Sequence, residues 1–292
     1  MKSTSILKVG TVFGLAGGAV ALGLWSEPTV ASTPPEEIRL LGIVRDFRPS
    51  PDLHPDFDSP QLNGPYARYV KPTLDAAGKP EYSVGTGRRI QQEFRDGAND
   101  KICWCLPPAA GDNPGTFGQS STGAITNAGT FAQWFRDTPG INLSTTWEMP
   151  LTLETSGPYA GSYSYETNDF FPYYPIDGQL FGDGPDEHNF YFTYEMISTF
   201  VYEAGAGQFI KYKGDDDAWL FVNDQLVMDH GGIAGSREYV VKMDRLGLTD
   251  GETVTVAFFH AERKQPQSQF HFWTNIDLVS NGPTLSTMNP AD

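Results

Sequence analysis

Three consecutive carboxylates, Asp215-Asp216-Asp217, follow Gly214 and precede the apolar run Ala218-Trp219-Leu220-Phe221-Val222. Like charges this close disfavour one another's ionisation. A hard cation relieves that repulsion, because Ca²⁺ takes about 6–8 oxygen ligands from carboxylates and backbone carbonyls. The same three residues also fit a solvated acidic turn in which Asp217 caps a backbone amide. Asp215, Asp216 and Asp217 are therefore the candidate metal set, and Ca²⁺ the candidate ion.

The surrounding elements must hold that loop. Phe209, Lys211 and Lys213 alternate with Ile210 and Tyr212, which predicts a strand. Ala218–Val222 predicts a second strand, Asn223-Asp224 a tight turn, and Gln225–Met228 an antiparallel return. Further strands are expected over Ile38–Phe47, Leu151–Leu153, Asn189–Tyr202, Glu238–Met243, Glu252–Ala261 and Gln269–Leu278. One helix is expected over Ala128–Asp137, with Asn127 as N-cap and Phe131, Trp134 and Phe135 on one face. Regular strands, turn signals, 31 Gly and 22 Pro predict a mostly β protein, a single antiparallel β-sandwich with long loops and one short helix.

Four ordered blocks resemble the fibro-slime domain family. They are Phe131–Asn142, His188-Asn189-Phe190 with Phe192-Thr193, Gly214–Asn223 with Leu226-Val227 and Asp229, and Phe258–Arg263 with Ser268-Gln269-Phe270. That family is similar to the protective-antigen-type superfamily of β-sandwiches, which includes the yeast flocculins. The resemblance covers roughly residues 40–280 and implies carbohydrate binding. In lectin-like members, an Asp-Asp pair joined by a cis peptide holds Ca²⁺, and the ion coordinates sugar hydroxyls. By position that pair is Asp215-Asp216, with Asp217 standing where those domains usually carry Gly. The resemblance also nominates ligand-binding loop positions: Asp229, the shared pair Glu262-Arg263, and Ser268 and Gln269 at the end of the Lys264–Ser268 variable loop. Arg263 beside the Asp cluster would lower the carboxylates' pKa and orient the loop.

Residues 1–31 read as a signal peptide: Lys2 and Lys8, an apolar run from Val9 to Trp25, then Val30-Ala31 before Ser32. Residues 32–39 form a polar lead-in, 40–280 the domain and 281–292 a C-terminal tail. The leader carries Lys2, Lys8 and Glu27, so its removal takes the net charge from −16 to −17. That charge argues against nucleic acid as a partner. With no later stretch long enough to span a bilayer, the expected product is secreted or cell-surface associated. Its expected partner is an extracellular glycan or a matrix component.

No His-Glu-x-x-His, Gly-x-Ser-x-Gly or phosphate-binding loop is present, so a non-catalytic module is expected. A structural matrix protein whose Asp cluster braces the fold is the competing reading, and a polysaccharide-acting enzyme a remote third. Asp52, His54, Asp56 and Asp58 alternate like a metal loop but lack the EF-hand's Gly and terminal Glu, which favours a structural loop. Cys103 and Cys105 fit either a local disulfide or free thiols. The aromatic stretch from Tyr159 to Phe181 fits core packing better than a sugar platform.

Overall fold

A computed structural model describes residues 33–48, 53–58, 64–83, 87–122, 124–172 and 188–282. The leader over 1–31, Asp52, the aromatic positions 173–181 and the tail from 283 lie outside the described residues. The chain divides into two compact units, Met1–Glu36 and Glu37–Asp292. The architecture below belongs to the second.

Ten antiparallel strands form the continuous path of its main sheet: β1 (Glu37–Phe47), β2 (Asn142–Leu153), β3 (Tyr163–Thr167), β4 (Phe192–Val201) and β5 (Phe209–Gly214). The chain continues through β6 (Asp217–Val222), β7 (Gln225–His230), β8 (Arg237–Lys242), β9 (Thr253–Glu262) and β10 (Phe270–Thr274). Their hydrogen-bonded order is β7-β6-β9-β4-β1-β2-β3-β10-β5-β8, and a short β11 (Val279–Ser280) adds to β4. Only Thr152–Ser164 and Leu153–Tyr163 join β2 to β3. The path folds at this corner into two layers, β7-β6-β9-β4-β1-β2 and β3-β10-β5-β8. Its two ends meet again where His230 of β7 lies 5.7 Å, ring to ring, from Tyr239 of β8. The result is the mostly β sandwich expected from the sequence.

Side-chain alternation decides what each layer buries. Val44, Met196, Leu220 and Phe258 from the first layer meet Ile210, Tyr212, Val241 and Phe272 from the second in one apolar core. The opposite face of the first layer is also buried. Trp219, Phe221 and Phe259 point outward from β6 and β9 into a second aromatic core with Phe57, Tyr69, Phe131, Trp134 and Phe135. All six residues of β6 are buried for this reason, so it reads as a continuous apolar run rather than an alternating one.

The cover over that second face comes from the excursion between β1 and β2. It contains the short helix α1 (Ala128–Phe131), capped as expected by Asn127, whose Oδ1 accepts from Gly129 N at 2.7 Å and Thr130 N at 3.0 Å. The helix stops well before the expected Asp137. Trp134 and Phe135 leave it as turns, which aims their rings at Trp219 (6.2 Å) and Phe259 (5.0 Å). Tertiary packing overrides helical periodicity here.

β2 is far longer than the expected Leu151–Leu153, and β3 is a strand the sequence pattern does not signal. β2 carries Pro150, a residue that argues against a strand in sequence. Its second edge has no partner before Thr152, the setting in which Pro is tolerated. The described aromatics of the next stretch divide as core packing predicts, with Phe170 fully buried and Phe171 stacked on His188 at 4.1 Å.

Gly42 sits in β1, paired with β2 on one side and β4 on the other. A Cβ there would collide with the Tyr194 ring and the Glu195 carbonyl oxygen. Gly42→Ala should therefore destabilise the fold by about 1–3 kcal/mol through overpacking, read as a lower urea midpoint with an unchanged m-value.

Candidate functional site

The three aspartates have three different fates. Gly214 ends β5 where a side chain would overlap the Gln269 carbonyl oxygen, so only Gly lets the two backbones approach. That approach fastens Asp215: its N–H donates to Gln269 O at 3.2 Å, and Gln269 N donates to Asp215 Oδ1 at 2.5 Å. The Asp215–Asp216 peptide bond is cis, as is Gln265–Pro266. Asp216 Oδ1 accepts from Ala234 N at 3.2 Å and Oδ2 from Arg263 N at 3.1 Å. Asp217 opens β6 and turns the other way. Its Oδ1 accepts from Gly232 N at 2.6 Å, and its Oδ2 pairs with Arg263 Nε at 2.6 Å.

Arg263 is fully buried and ties this loop to the cover. Its Nη1 donates to Asp56 O at 2.9 Å, and its guanidinium lies 4.8 Å from the Trp134 ring centre. Asp56 in turn accepts from Trp134 Nε1 at 3.1 Å and Thr126 N at 2.7 Å. His54 and Asp56 thus belong to a structural loop, with His54 Nε2 3.0 Å from Gln133 Oε1. Glu262, also buried, uses Oε1 to accept from Arg263 N at 3.1 Å and Lys264 N at 3.2 Å. Asp216 and Glu262 therefore share one backbone donor and lie side by side.

Burial dominates the electrostatics. It pushes Asp215 up to about 6 and Asp216 up to about 8 from the ordinary 3.8, with Asp217 and Asp215 adding repulsion at Asp216. Burial also raises Asp217 and lifts Glu262 well above the usual carboxylate range. The expectation that Arg263 would lower these carboxylates is corrected: the guanidinium does act downward on Asp216 and Asp217, but desolvation is the larger effect. The Oδ2 atom of Asp215 is buried and has no hydrogen-bond partner among the described residues.

Asp215 and Asp216 open on a cleft of about 470 Å³. The loop Lys264–Gln267 forms one wall, and Ile233–Gly235, Gly64 and Pro65 form others, with Arg89 and Arg237 at its rim. Of the residues nominated from sequence, Asp215 and Asp216 line the cleft, while Glu262 and Gln269 lie behind them. Ser268 is buried, its Oγ donating to Phe170 O at 2.8 Å. Asp229 is not brought to this cleft. It is fully buried, with Oδ2 accepting from Arg68 N (2.7 Å) and Trp104 Nε1 (2.8 Å) and Oδ1 from Trp219 Nε1 (3.0 Å). Trp104 is held there between Cys103 and Cys105, which form a disulfide with Cα atoms 5.2 Å apart. Arg89 and Arg237 escaped sequence reasoning, because nothing in their local spacing connects two positions almost 150 residues apart.

Among the described residues, no group of three or more His, Cys, Asp or Glu side chains is disposed to hold a metal ion. A cation here would draw on two carboxylates together with backbone oxygens and solvent, a donor set that suits a hard ion.

Residues 176–287 match the PA14 domain. Among curated proteins, the chain is similar to psiD of Dictyostelium discoideum, 31% identical over 254 residues covering 84% of this chain and 42% of psiD. It is also similar to psiQ of the same organism, 36% identical over 184 residues covering 59% of this chain and 18% of psiQ. The chain thus spans less than half the length of these relatives. Among solved structures, the PA14 sugar-binding domain from an RTX adhesin matches with 14% identity and a TM-score of 0.26, covering 41% of this chain and 76% of that one. No helix among the described residues is long and apolar enough to cross a membrane.

Two outcomes follow. Arg263→Gln removes the partner of a buried carboxylate and should cost about 3–5 kcal/mol in urea unfolding. The pH dependence of the metal-free protein tests the burial of the pair. Groups whose folded pKa is raised contribute stability that is present below their unfolded value and lost as pH rises through the folded one. His230 and His260, lowered by burial from 6.5 to about 3, act in the opposite sense, because around pH 6.5 the unfolded chain protonates them and the folded one does not, and this effect fades about one pH unit above that. From about pH 7.5 upward, where the imidazoles no longer offset it, the metal-free fold should lose stability as pH rises through about 8, and Asp216→Asn should flatten that slope.

Proposed function

We propose that this chain is an exported, non-catalytic, fibro-slime-type carbohydrate-binding or adhesion module that uses a Ca²⁺ ion held by Asp215 and Asp216. The observation that carries this reading is the buried Oδ2 of Asp215, without a hydrogen-bond partner among the described residues and beside Asp216 and Glu262. A buried carboxylate oxygen with no donor is costly, and a hard cation supplies the missing charge. The ion would in turn offer coordination positions to sugar hydroxyls in the cleft. Asp217 is left out of the ligand set because its Oδ2 is ion-paired to the Arg263 guanidinium and it does not line the cleft. The PA14 match, and the description of the RTX adhesin domain as sugar-binding, support the ligand class. An extracellular glycan or matrix component is then the partner, and the leader read over residues 1–31 is the route to it.

A second reading treats the chain as a structural surface or matrix protein whose acidic cluster braces the sandwich. The Asp217–Arg263–Asp56 connection favours it, since that part of the cluster is internally satisfied.

Calorimetric titration separates the two. The protein should bind Ca²⁺ with one-site stoichiometry, more tightly as pH rises from 6 to 8 because Asp215 and Asp216 must release protons to ligate. Asp215→Asn/Asp216→Asn should abolish the binding with far-UV circular dichroism unchanged. No binding by the unsubstituted protein would overturn the calcium reading and leave the structural one.

A further inference from the structure

The cleft is basic in a protein that is strongly acidic. The whole chain carries a net charge of −16, yet Arg89, Arg237 and Lys264 line the same cleft as Asp215 and Asp216. The imbalance grows away from the aspartates. A second cleft of about 410 Å³ shares Pro65, Arg89 and Arg237 with the first and is completed by Ile90, Gln91 and Gln119, with no acidic side chain in its wall. The two form one trough, with the carboxylate pair at one end, two guanidiniums at the junction and two amides beyond.

These cations are not equally compensated. Arg237 is ion-paired to Glu93, and Lys264 lies 3.7 Å from Asp58. Arg89 is exposed, on the short strand Arg88–Gln92, and makes no ion pair with a described carboxylate. A free guanidinium over an open polar trough offers a fork of donors matched to a planar acid group. A ligand of hydroxyls alone would gain little from it. With a divalent ion on Asp215 and Asp216, the nearest negative charges are neutralised and the trough is net positive.

We propose that the trough selects an anionic saccharide, one ring placing its hydroxyls at the Asp215–Asp216 end and an acid group meeting Arg89 and Arg237. This rests on the carbohydrate-binding reading above and adds the charge of the ligand to it. Carboxylate and sulfate share the chemistry that Arg89 recognises. The combined volume of the trough suits a short oligosaccharide rather than a single ring.

The test uses the full chain with CaCl₂ and three probes: an oligogalacturonate, its methyl-esterified neutral counterpart, and a sulfated oligosaccharide of similar length. Isothermal titration should show one of the acidic probes binding at least tenfold tighter than the ester, with affinity falling as NaCl is raised. Which acid binds tighter identifies carboxylate or sulfate as the recognised group. Arg89→Gln should lower affinity for the acidic probe by about tenfold, the size of one charge-assisted hydrogen bond, while the Ca²⁺ titration of the same variant reports an intact fold. Equal binding of acid and ester, an unchanged affinity in Arg89→Gln, or no binding of either acidic probe would each overturn the proposal. Failure of the calcium reading gives a different pattern: acid-selective binding that persists in EDTA leaves the charge selection standing and removes the ion.

Discussion

The ion pair between Asp217 and Arg263 sits where three parts of the molecule meet. Asp217 is the first residue of β6, Arg263 follows the last residue of β9, and the guanidinium reaches the Asp56 carbonyl in the cover. Both side chains are fully buried. Such a pair adds little net stability compared with an apolar replacement, because desolvation offsets the attraction. Its contribution is positional. With both Asp217 oxygens and Nε and Nη1 of Arg263 engaged, the backbone between Gly214 and β6 is held in place, and this directs Asp215 and Asp216 toward the cleft.

The cover is the other half of that constraint. An antiparallel sandwich commonly leaves its outer faces to water, and here one outer face is closed by aromatic rings. Trp219 and Phe259 meet Phe131, Trp134 and Phe135, while Glu195 of β4 accepts from Lys79 Nζ at 2.6 Å. On the same side, Asp229 gathers donors from Arg68, Trp104 and Trp219. The acidic residues of this protein therefore divide by environment. Some fix the cover to the sandwich, and the pair at the end of β5 is raised in pKa with one oxygen left over.

The central hairpin was readable from sequence because its signals are local. Alternation over Phe209–Lys213 put Ile210 and Tyr212 in the core, and Asn223-Asp224 turns with φ of +46° and +61°. The layered β architecture followed from the same kind of signal repeated along the chain. What escaped depends on distant partners. β2 runs back through Pro150 to Asn142, beyond the expected Leu151–Leu153, and α1 stops short of the expected Asp137 because Trp134 and Phe135 are captured by β6 and β9. Asp229 looked like a ligand-loop residue because Trp104, 125 positions away, is invisible to local spacing. The sign of the carboxylate shifts was misread for a related reason: Arg263 can be placed beside the aspartates from the motif, whereas the depth of burial around them cannot.

The position of β1 has a consequence for how the protein is made. Gly42 pairs with Trp147 on one side and Met196 on the other. At about 5–20 residues per second, a ribosome needs roughly 8–30 s to go from the first of these residues to the last. Through that interval the run Ile38–Phe47 lacks at least one of its neighbours, since β4 is made after β2, and an apolar strand with an open edge is a template for pairing with other chains. β1 precedes both of its neighbours, so completing the sheet around it waits on contacts of high sequence separation, and folding should be slow for a domain of this size. A strand paired on both edges in the finished protein is thus an open edge in the nascent chain.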